Sequence, residues 1–381
     1  MTKRPHFSVV IPYYNRLPYL QRALKALSEQ DVQFEDFEIV IGCLEYSESL
    51  SRALTDLPLA LRARCIMTRE PWNVSRARNL AFAHAEGDVL LILDADMLLP
   101  RSFLRYLRDN YDLAHRNCAV VGQMLNYSAY TPVTEENLSS YESYRDAYLS
   151  RNRRDGLGVD GRWTRQRRIP WSLCFTALMA LPRRLVEQYS LYFDETFAGW
   201  GAEDLEWGYR LQRSGIPILF ADELWGMHLP HLRCVSKNRA EQEQNYHRLL
   251  CKWPCFEVEI VTRFGVFFAN QQFDELACAW QGVCGNGQTV FSVEFSFGGS
   301  RRLAVGVVAD ASGRLLNTDQ IPNIDEATII RRVPLLGLRL PYADHSLHTA
   351  YLLRSLRNVP SDLYTLIRSE SDRISGETVV I

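Results

Sequence analysis

The sequence predicts an α/β fold: a mixed, mainly parallel sheet flanked by helices, with a smaller C-terminal α+β or mostly β module. Three observations carry this. Between Phe7 and Met124, strand-like and helix-like periodicities alternate, the pattern of parallel strands joined by right-handed crossovers. The run Asp88-Val89-Leu90-Leu91-Ile92-Leu93 is almost wholly apolar, as a strand buried on both faces must be. From about residue 258 the texture shifts to strand-like pieces separated by Gly-rich turns.

The elements follow in order. Phe7-Ser8-Val9-Val10-Ile11-Pro12 is a β-branched run closed by Pro, a first strand. Leu17, Leu20, Ala23, Leu24 and Leu27 repeat at helical spacing, with Asn15 read as the N-cap. Glu38 to Gly42 is a second strand and Arg64 to Thr68 a weaker third. Asn73 to Ala85 is helical by its alanine spacing, and Ser102 to Arg116 is a further helix before a strand over Ala119 to Met124. Ile216 to Ala221 also reads as a strand. In the C-terminal part, Val258 to Val261, Val290 to Phe297 and Leu303 to Ala309 read as strands, and Ser346 to Leu356 as a helix. The expected division is residues 1–257 and 258–381, the second part an accessory module without an assigned role.

Composition narrows the function. With 381 residues, 47% hydrophobic and 23% charged, the chain has globular composition, which excludes wholesale disorder, collagen and coiled coil. Its net charge of -2 lacks the basic excess of a broad nucleic-acid binder, so no nucleic-acid partner is expected. Apolar runs stop far short of the ~20 residues of a bilayer span, and the N-terminus lacks a signal-peptide core. Nine cysteines fall outside any C-x-x-C pair and read as reduced thiols, so a cytoplasmic location is expected. Peripheral membrane contact and oligomerisation are both compatible with this composition.

Ligands of open α/β sheets bind beyond the carboxyl ends of strands. Leu91-Ile92-Leu93-Asp94-Ala95-Asp96 places two carboxylates around one small residue at such an end. One can hold Mn²⁺ or Mg²⁺ while the other meets a sugar hydroxyl; the plain alternative is a polar turn. Gly199-Trp200-Gly201-Ala202-Glu203-Asp204 puts two acids in a first helical turn. Helix-dipole stabilisation explains them blandly, and a general base beside a Trp200 wall explains them functionally. Met227-His228-Leu229-Pro230-His231 follows a strand, so His228 or His231 can complete a metal site begun by Asp96. Arg76 and Arg78 near a helix start read as diphosphate ligands or as a solvated face. Seven arginines between Arg151 and Arg168 read as a solvated loop or as a mobile lid over an anion. Tyr127, Tyr130, Tyr141, Tyr144 and Tyr148 read as core or as sugar-stacking rings.

Together these segments resemble the family 2-type glycosyltransferases of GT-A fold, over roughly residues 5 to 250. Ser8 to Arg16 resembles that family's first strand and turn. Arg76-Ala77-Arg78-Asn79 with Gly87-Asp88 is similar to its A-R-N…G-D segment, and Asp94-Ala95-Asp96 to its D-x-D. Gly199 to Asp204 is similar to the W-G-x-E-D of galactosyl- and N-acetylgalactosaminyltransferases, including bacterial chondroitin-type polymerases, which points to polysaccharide biosynthesis. The resemblance implies a UDP-sugar donor, a divalent metal, a hydroxyl acceptor and inversion at the anomeric carbon. It implies Asp96 with His228 or His231 on the metal, Asp94 on ribose or sugar hydroxyls, and Asp204 as base with Glu203 orienting the acceptor. Pro12, Tyr13 and Asn15 would line the uridine pocket. Where the family carries an acidic pair after its second strand, this chain has Cys43-Leu44-Glu45, so Glu45 is the substitute there. A sugar nucleotidyltransferase and a degenerate, non-catalytic sugar-binding protein are the competing classes. Val9 to Arg16 contains no Gly, which disfavours the phosphate loop of the former.

Overall fold

A computed structural model of the chain describes residues 5–128, 133–151 and 160–381, the side chains of 148–151 excepted. The chain divides into two compact units, one running through Gln166 and over Pro170–Asn245, the other comprising Arg167–Ile169 and Tyr246–Ile381.

The first unit alternates strands and helices as the periodicities require. Its elements are β1 (Phe7–Tyr13), α1 (Leu17–Ser28), β2 (Phe37–Cys43), α2 (Glu48–Thr55), β3 (Arg62–Met67), α3 (Val74–His84), β4 (Val89–Leu93), β5 (Met97–Leu98), α4 (Phe103–Tyr111) and β6 (Ala119–Leu125). There follow α5 (Glu135–Arg151), β7 (Leu178–Pro182), α6 (Arg183–Tyr189), α7 (Glu203–Arg213) and β8 (Ile218–His228), and α8 (Val235–Lys252) leads into the second unit. The strands form one sheet in the order β3-β2-β1-β4-β7-β6-β8-β5. β3, β2, β1 and β4 run parallel, and β7 enters antiparallel between β4 and β6. The expected mixed, mainly parallel α/β class is what the chain adopts.

Alternate residues of the central strands feed two cores. Val9, Ile11, Leu91 and Leu93 pack on one face, and Val10, Leu90 and Ile92 on the other. That two-sided burial is why β4 has no polar residue before Asp94. On the second face α3 lies so close to β2 that a Cβ on Gly42 would come within 1.9 Å of the Ala77 carbonyl oxygen. The small residues at 42 and 77 thereby set the depth at which α3 presents Arg78.

Three readings of the sequence need correction. Asn15 does not cap α1: its φ of 49° turns the chain out of β1, and Arg16 holds the cap position. Val258 to Val261 lies in a helix, α9 (Phe256–Phe264), not a strand. Its residues from Val258 to Thr262 are all buried, Glu259 included, and a run without exposed positions carries no period to distinguish the two states. Leu347–Leu352 is a strand, not a helix, because cross-strand pairing on both its sides overrides weak local preference.

The second unit contains α9, α10 (Val266–Gln271), α11 (Phe273–Val283), β9 (Thr289–Phe297), β10 (Ser300–Ala309), β11 (Thr328–Val333), β12 (Leu347–Leu352), α12 (Ser361–Ile374) and β13 (Ser375–Val380). Its strands order as β11-β9-β10-β12-β13, an α+β arrangement. A buried carboxylate, Glu259, accepts the backbone N–H groups of Leu336, Gly337 and Leu338 at 2.7–2.8 Å and so closes the loop before β12. Among the described residues, no helix is long and apolar enough to cross a membrane.

Candidate active site

Of the residues singled out by the sequence, Pro12, Tyr13, Asn15, Glu45, Asp94 and Asp96 lie at the carboxyl ends of β1, β2 and β4. Asp96 follows β4 and is 2% exposed. Just beyond it, β5 pairs antiparallel with the end of β8, placing Met97 opposite His228. The Leu229 N–H donates to the Asp96 carbonyl at 2.8 Å, which locks the two segments together. Hence His228 Nε2 stands 3.7 Å from Asp96 Oδ1, and His231 Nδ1 stands 3.2 Å from Asp96 Oδ2. One ligand atom from each of the three residues lies within 4.8 Å of the others. Two ligands on opposite sides of a cation with bonds of about 2.1–2.4 Å are separated by a similar span.

Electrostatics suit the same use. Burial pushes both imidazoles below the ordinary histidine range, His231 to about 3, so they present neutral nitrogens. Burial works against an ionised Asp96, but the guanidinium of Arg16, 2.6 Å away, helps hold the carboxyl below its usual range. A buried carboxylate and two neutral imidazoles fit a divalent cation. Imidazole nitrogen makes Mn²⁺ a better match than Mg²⁺, which prefers oxygen. Outer groups orient His228: the Tyr141 hydroxyl donates to its carbonyl at 3.0 Å, and Tyr127 meets its ring edge-on at 5.1 Å.

A second constellation surrounds Asp94. Arg78 is 3% exposed and donates to Asp94 Oδ1 and Glu203 Oε1, each at 3.1 Å. Its guanidinium also lies over the Phe193 ring at 5.0 Å. Glu203 and Asp204 open α7, as the sequence indicates. Burial first, and the adjacent Glu203 second, push the Asp204 carboxyl up to about 8, while Arg78 opposes the shift. Arg76 points elsewhere and pairs with Glu70 at 2.8 Å and Glu195 at 2.9 Å.

The loop before α7 needs its glycines. Gly199, Gly201 and Ala202 all have positive φ, at 77°, 89° and 68°. Glu241 Oε2 accepts the Trp200 N–H at 2.9 Å, and Asn245 Nδ2 donates to the carbonyls of Ala198 and Gly201, both at 2.9 Å. Trp200 itself is half-buried. Pro12 and Tyr13 end β1 in buried positions, and Asn15 beyond them is exposed. Tyr13 is in register with Cys43, so Glu45, also exposed, leaves the neighbouring strand alongside.

Reading the sequence alone missed several residues. Arg16, Glu241 and Asn245 have no role in that reading, and the strand it places at Ile216 to Ala221 extends through the apolar Leu224-Trp225-Gly226-Met227 to His228. Within the Arg-rich segment, Arg165, Arg167 and Arg168 are exposed, as in a solvated loop, and Arg162 is not. Arg162 is fully buried, with Nη2 2.6 Å from Asp160, and donates to the Gly122 and Leu173 carbonyls. Arg153, Arg154 and the side chain of Arg151 lie outside the described residues, as do Tyr130 and the side chain of Tyr148.

Known proteins resemble this chain in sequence and in fold. Residues 8–167 match the family model of Glycosyl transferase family 2. Validoxylamine A glucosyltransferase of Streptomyces hygroscopicus subsp. jinggangensis is 30% identical over 280 residues, 69% of this chain and 65% of that protein. Chondroitin synthase of Escherichia coli is 24% identical over 233 residues, 55% of this chain and 32% of that protein. The chain spans less than two thirds of the length of the curated relatives it matches. Among solved structures, S. aureus TarS 1-349 in complex with UDP-GlcNAc aligns with a TM-score of 0.48 at 17% identity, over 74% of this chain and 76% of that one.

Proposed function

We infer that this chain, which carries a Glycosyl transferase family 2 segment over residues 8–167, is an inverting, metal-dependent glycosyltransferase. It moves a hexose or N-acetylhexosamine from a UDP-sugar to a hydroxyl of a glycan, lipid-linked sugar or peptide. The observation that carries this reading is the convergence of Asp96, His228 and His231, with Asp94, two residues before Asp96, tied through Arg78 to the acid pair that opens α7. The cluster would hold the cation, and the pair would handle the acceptor proton. A relative named as a glucosyltransferase supports a hexose donor.

The residues divide the work. A divalent cation on Asp96, His228 and His231 would supply Lewis-acid stabilisation of a leaving diphosphate. Asp94, held by Arg78, faces donor hydroxyls. Pro12, Tyr13, Asn15 and Glu45 flank the nucleoside end of the donor, whereas Arg76 is held by Glu70 and Glu195. Trp200 provides a wall for a sugar face. Asp204 takes the acceptor hydroxyl's proton, with Glu203 orienting that hydroxyl. A carboxyl near 8 is a strong base once ionised. A single base opposite the leaving group gives one displacement and hence inversion.

The test is a screen of UDP-sugars for acceptor-dependent UDP release with Mn²⁺, followed by proton NMR of the product. A β-linked product from an α-linked donor is expected. An α-linked product would overturn inversion, and binding without turnover of any donor would favour a non-catalytic sugar-binding protein.

A further inference from the structure

Arg16 stands beside the cation cluster without a role in the reaction above. Its Nη1 lies 2.6 Å from Asp96 Oδ2, the same oxygen that His231 Nδ1 approaches at 3.2 Å. The two partners differ in freedom: Asp96 is 2% exposed, while the Arg16 side chain is 42% exposed. The backbone under Arg16 is fixed, since its carbonyl accepts the N–H groups of Tyr19 and Leu20, both at 3.1 Å. Asn15 before it turns at a φ of 49°, and from the residue after that turn the side chain reaches Asp96 beyond the end of β4. An anchored Cα with a long, half-exposed cation on a buried carboxylate is a geometry in which the head group can leave without disturbing the helix.

Two cations cannot share Oδ2 comfortably. A divalent ion on Asp96, His228 and His231 would place like charge against the guanidinium at a separation of a few ångströms, in surroundings that screen poorly. Arginine cannot relieve this by losing its proton. It must move, and its exposed side is the way out.

We propose that Arg16 is a displaceable counter-charge: it neutralises Asp96 before a cation binds, leaves Oδ2 when the cation arrives, and then pairs with the diphosphate of the donor. This rests on the reading of the cluster as a cation site and of the donor as a sugar nucleotide. The arrangement makes one arginine oppose cation binding and favour anion binding, so that cation and diphosphate bind best together. A structural arginine would change both affinities in the same direction, or neither.

The experiment uses the full chain, wild type and Arg16→Gln, with isothermal titration of Mn²⁺ alone and then of UDP into Mn²⁺-saturated protein. Removing the charge should tighten Mn²⁺ binding by about tenfold or more and weaken UDP binding by a similar factor. Arg16→Lys, which keeps the charge, should lie close to wild type in both. Unchanged or weaker Mn²⁺ binding in Arg16→Gln overturns the proposal when its thermal unfolding matches wild type. Tighter Mn²⁺ binding with unchanged UDP binding overturns the diphosphate pairing. Failure of wild-type protein to bind Mn²⁺ is a separate outcome, which removes the cation site itself and the proposal with it.

Discussion

Arg78 Nη1 lies 3.1 Å from Glu203 Oε1, tying α3 to the start of α7 across 125 residues of sequence. The other arm of the same guanidinium reaches Asp94. The strand end that carries the D-x-D and the helix that carries the acid pair are therefore set relative to one another through a single buried cation. Arg78→Ala would leave Glu203 in a mostly buried position without its counter-charge. Because Asp94 is one-third exposed, the expected loss of stability is about 2–4 kcal/mol, toward the lower end for broken buried pairs. Turnover should fall about a hundredfold or more, since the base-bearing helix loses its register. Arg78→Lys has one donor head and cannot span both acids, so it should recover less than half of the lost stability in denaturant unfolding. Full recovery by lysine would show that the bridge is unimportant.

The Asp204 carboxyl, pushed up to about 8, makes a pH prediction with a definite sign. As base, it acts only when ionised, so kcat/KM should climb with pH and level off above about 8. Asp204→Asn should remove transfer by about 10²–10⁴-fold while donor binding stays near wild type. Stability moves the opposite way. The unfolded chain releases this proton near ~4, whereas the folded protein keeps it to about 8. Its contribution is complete below the unfolded value and declines as pH rises between the two. Denaturant unfolding at pH 5 and pH 9 should show a steeper decline for wild type than for Asp204→Asn.

Much of the site was legible in sequence because its acids sit where a strand or helix ends. Asp94 and Asp96 close an uninterrupted apolar run, and Glu203 and Asp204 open an amphipathic helix behind positive-φ glycines. What could not be read was contact between distant segments. His228 reaches Asp96 only because β5, two residues long, pairs with β8, and no periodicity marks a strand of two residues. Arg78 could be placed on a helix, but its burial depends on Gly42 and Ala77 letting α3 sit against β2. Arg162 looked like one cation in a solvated loop; its burial follows from Asp160, two residues earlier, and the Gly122 and Leu173 carbonyls. The second unit was misread where burial erased the period, in α9, and where pairing outweighed propensity, in β12.

The cation cluster predicts graded losses. Asp96→Asn removes the charged ligand and should abolish Mn²⁺ binding in titration. His228→Ala and His231→Ala should each weaken it by about 10–100-fold, and neither should spare it. Chelator treatment should stop UDP release, and Mn²⁺ should restore it better than Mg²⁺, given two imidazole ligands. Full wild-type affinity in His231→Ala would assign that residue to packing alone.

Gly199 and Gly201 separate strain from collision in the loop that leads to Asp204. Both have positive φ, so alanine at either costs about 1–2 kcal/mol of backbone strain. A Cβ at Gly199 would also meet Glu241 Cδ at 2.8 Å, whereas at Gly201 the nearest atom is Gln242 Cγ at 3.5 Å. Glu241 is the residue whose carboxylate accepts the Trp200 N–H. Gly199→Ala should therefore lose that hydrogen bond in addition to the strain, for a total of about 2–3 kcal/mol. Gly201→Ala should stay near the strain alone. Turnover should follow the same order, with Gly199→Ala lowered by about tenfold or more, because the loop sets where α7 begins and hence where Asp204 points. Equal losses in the two variants, by thermal unfolding and by rate, would mean that Glu241 does not hold the loop in place.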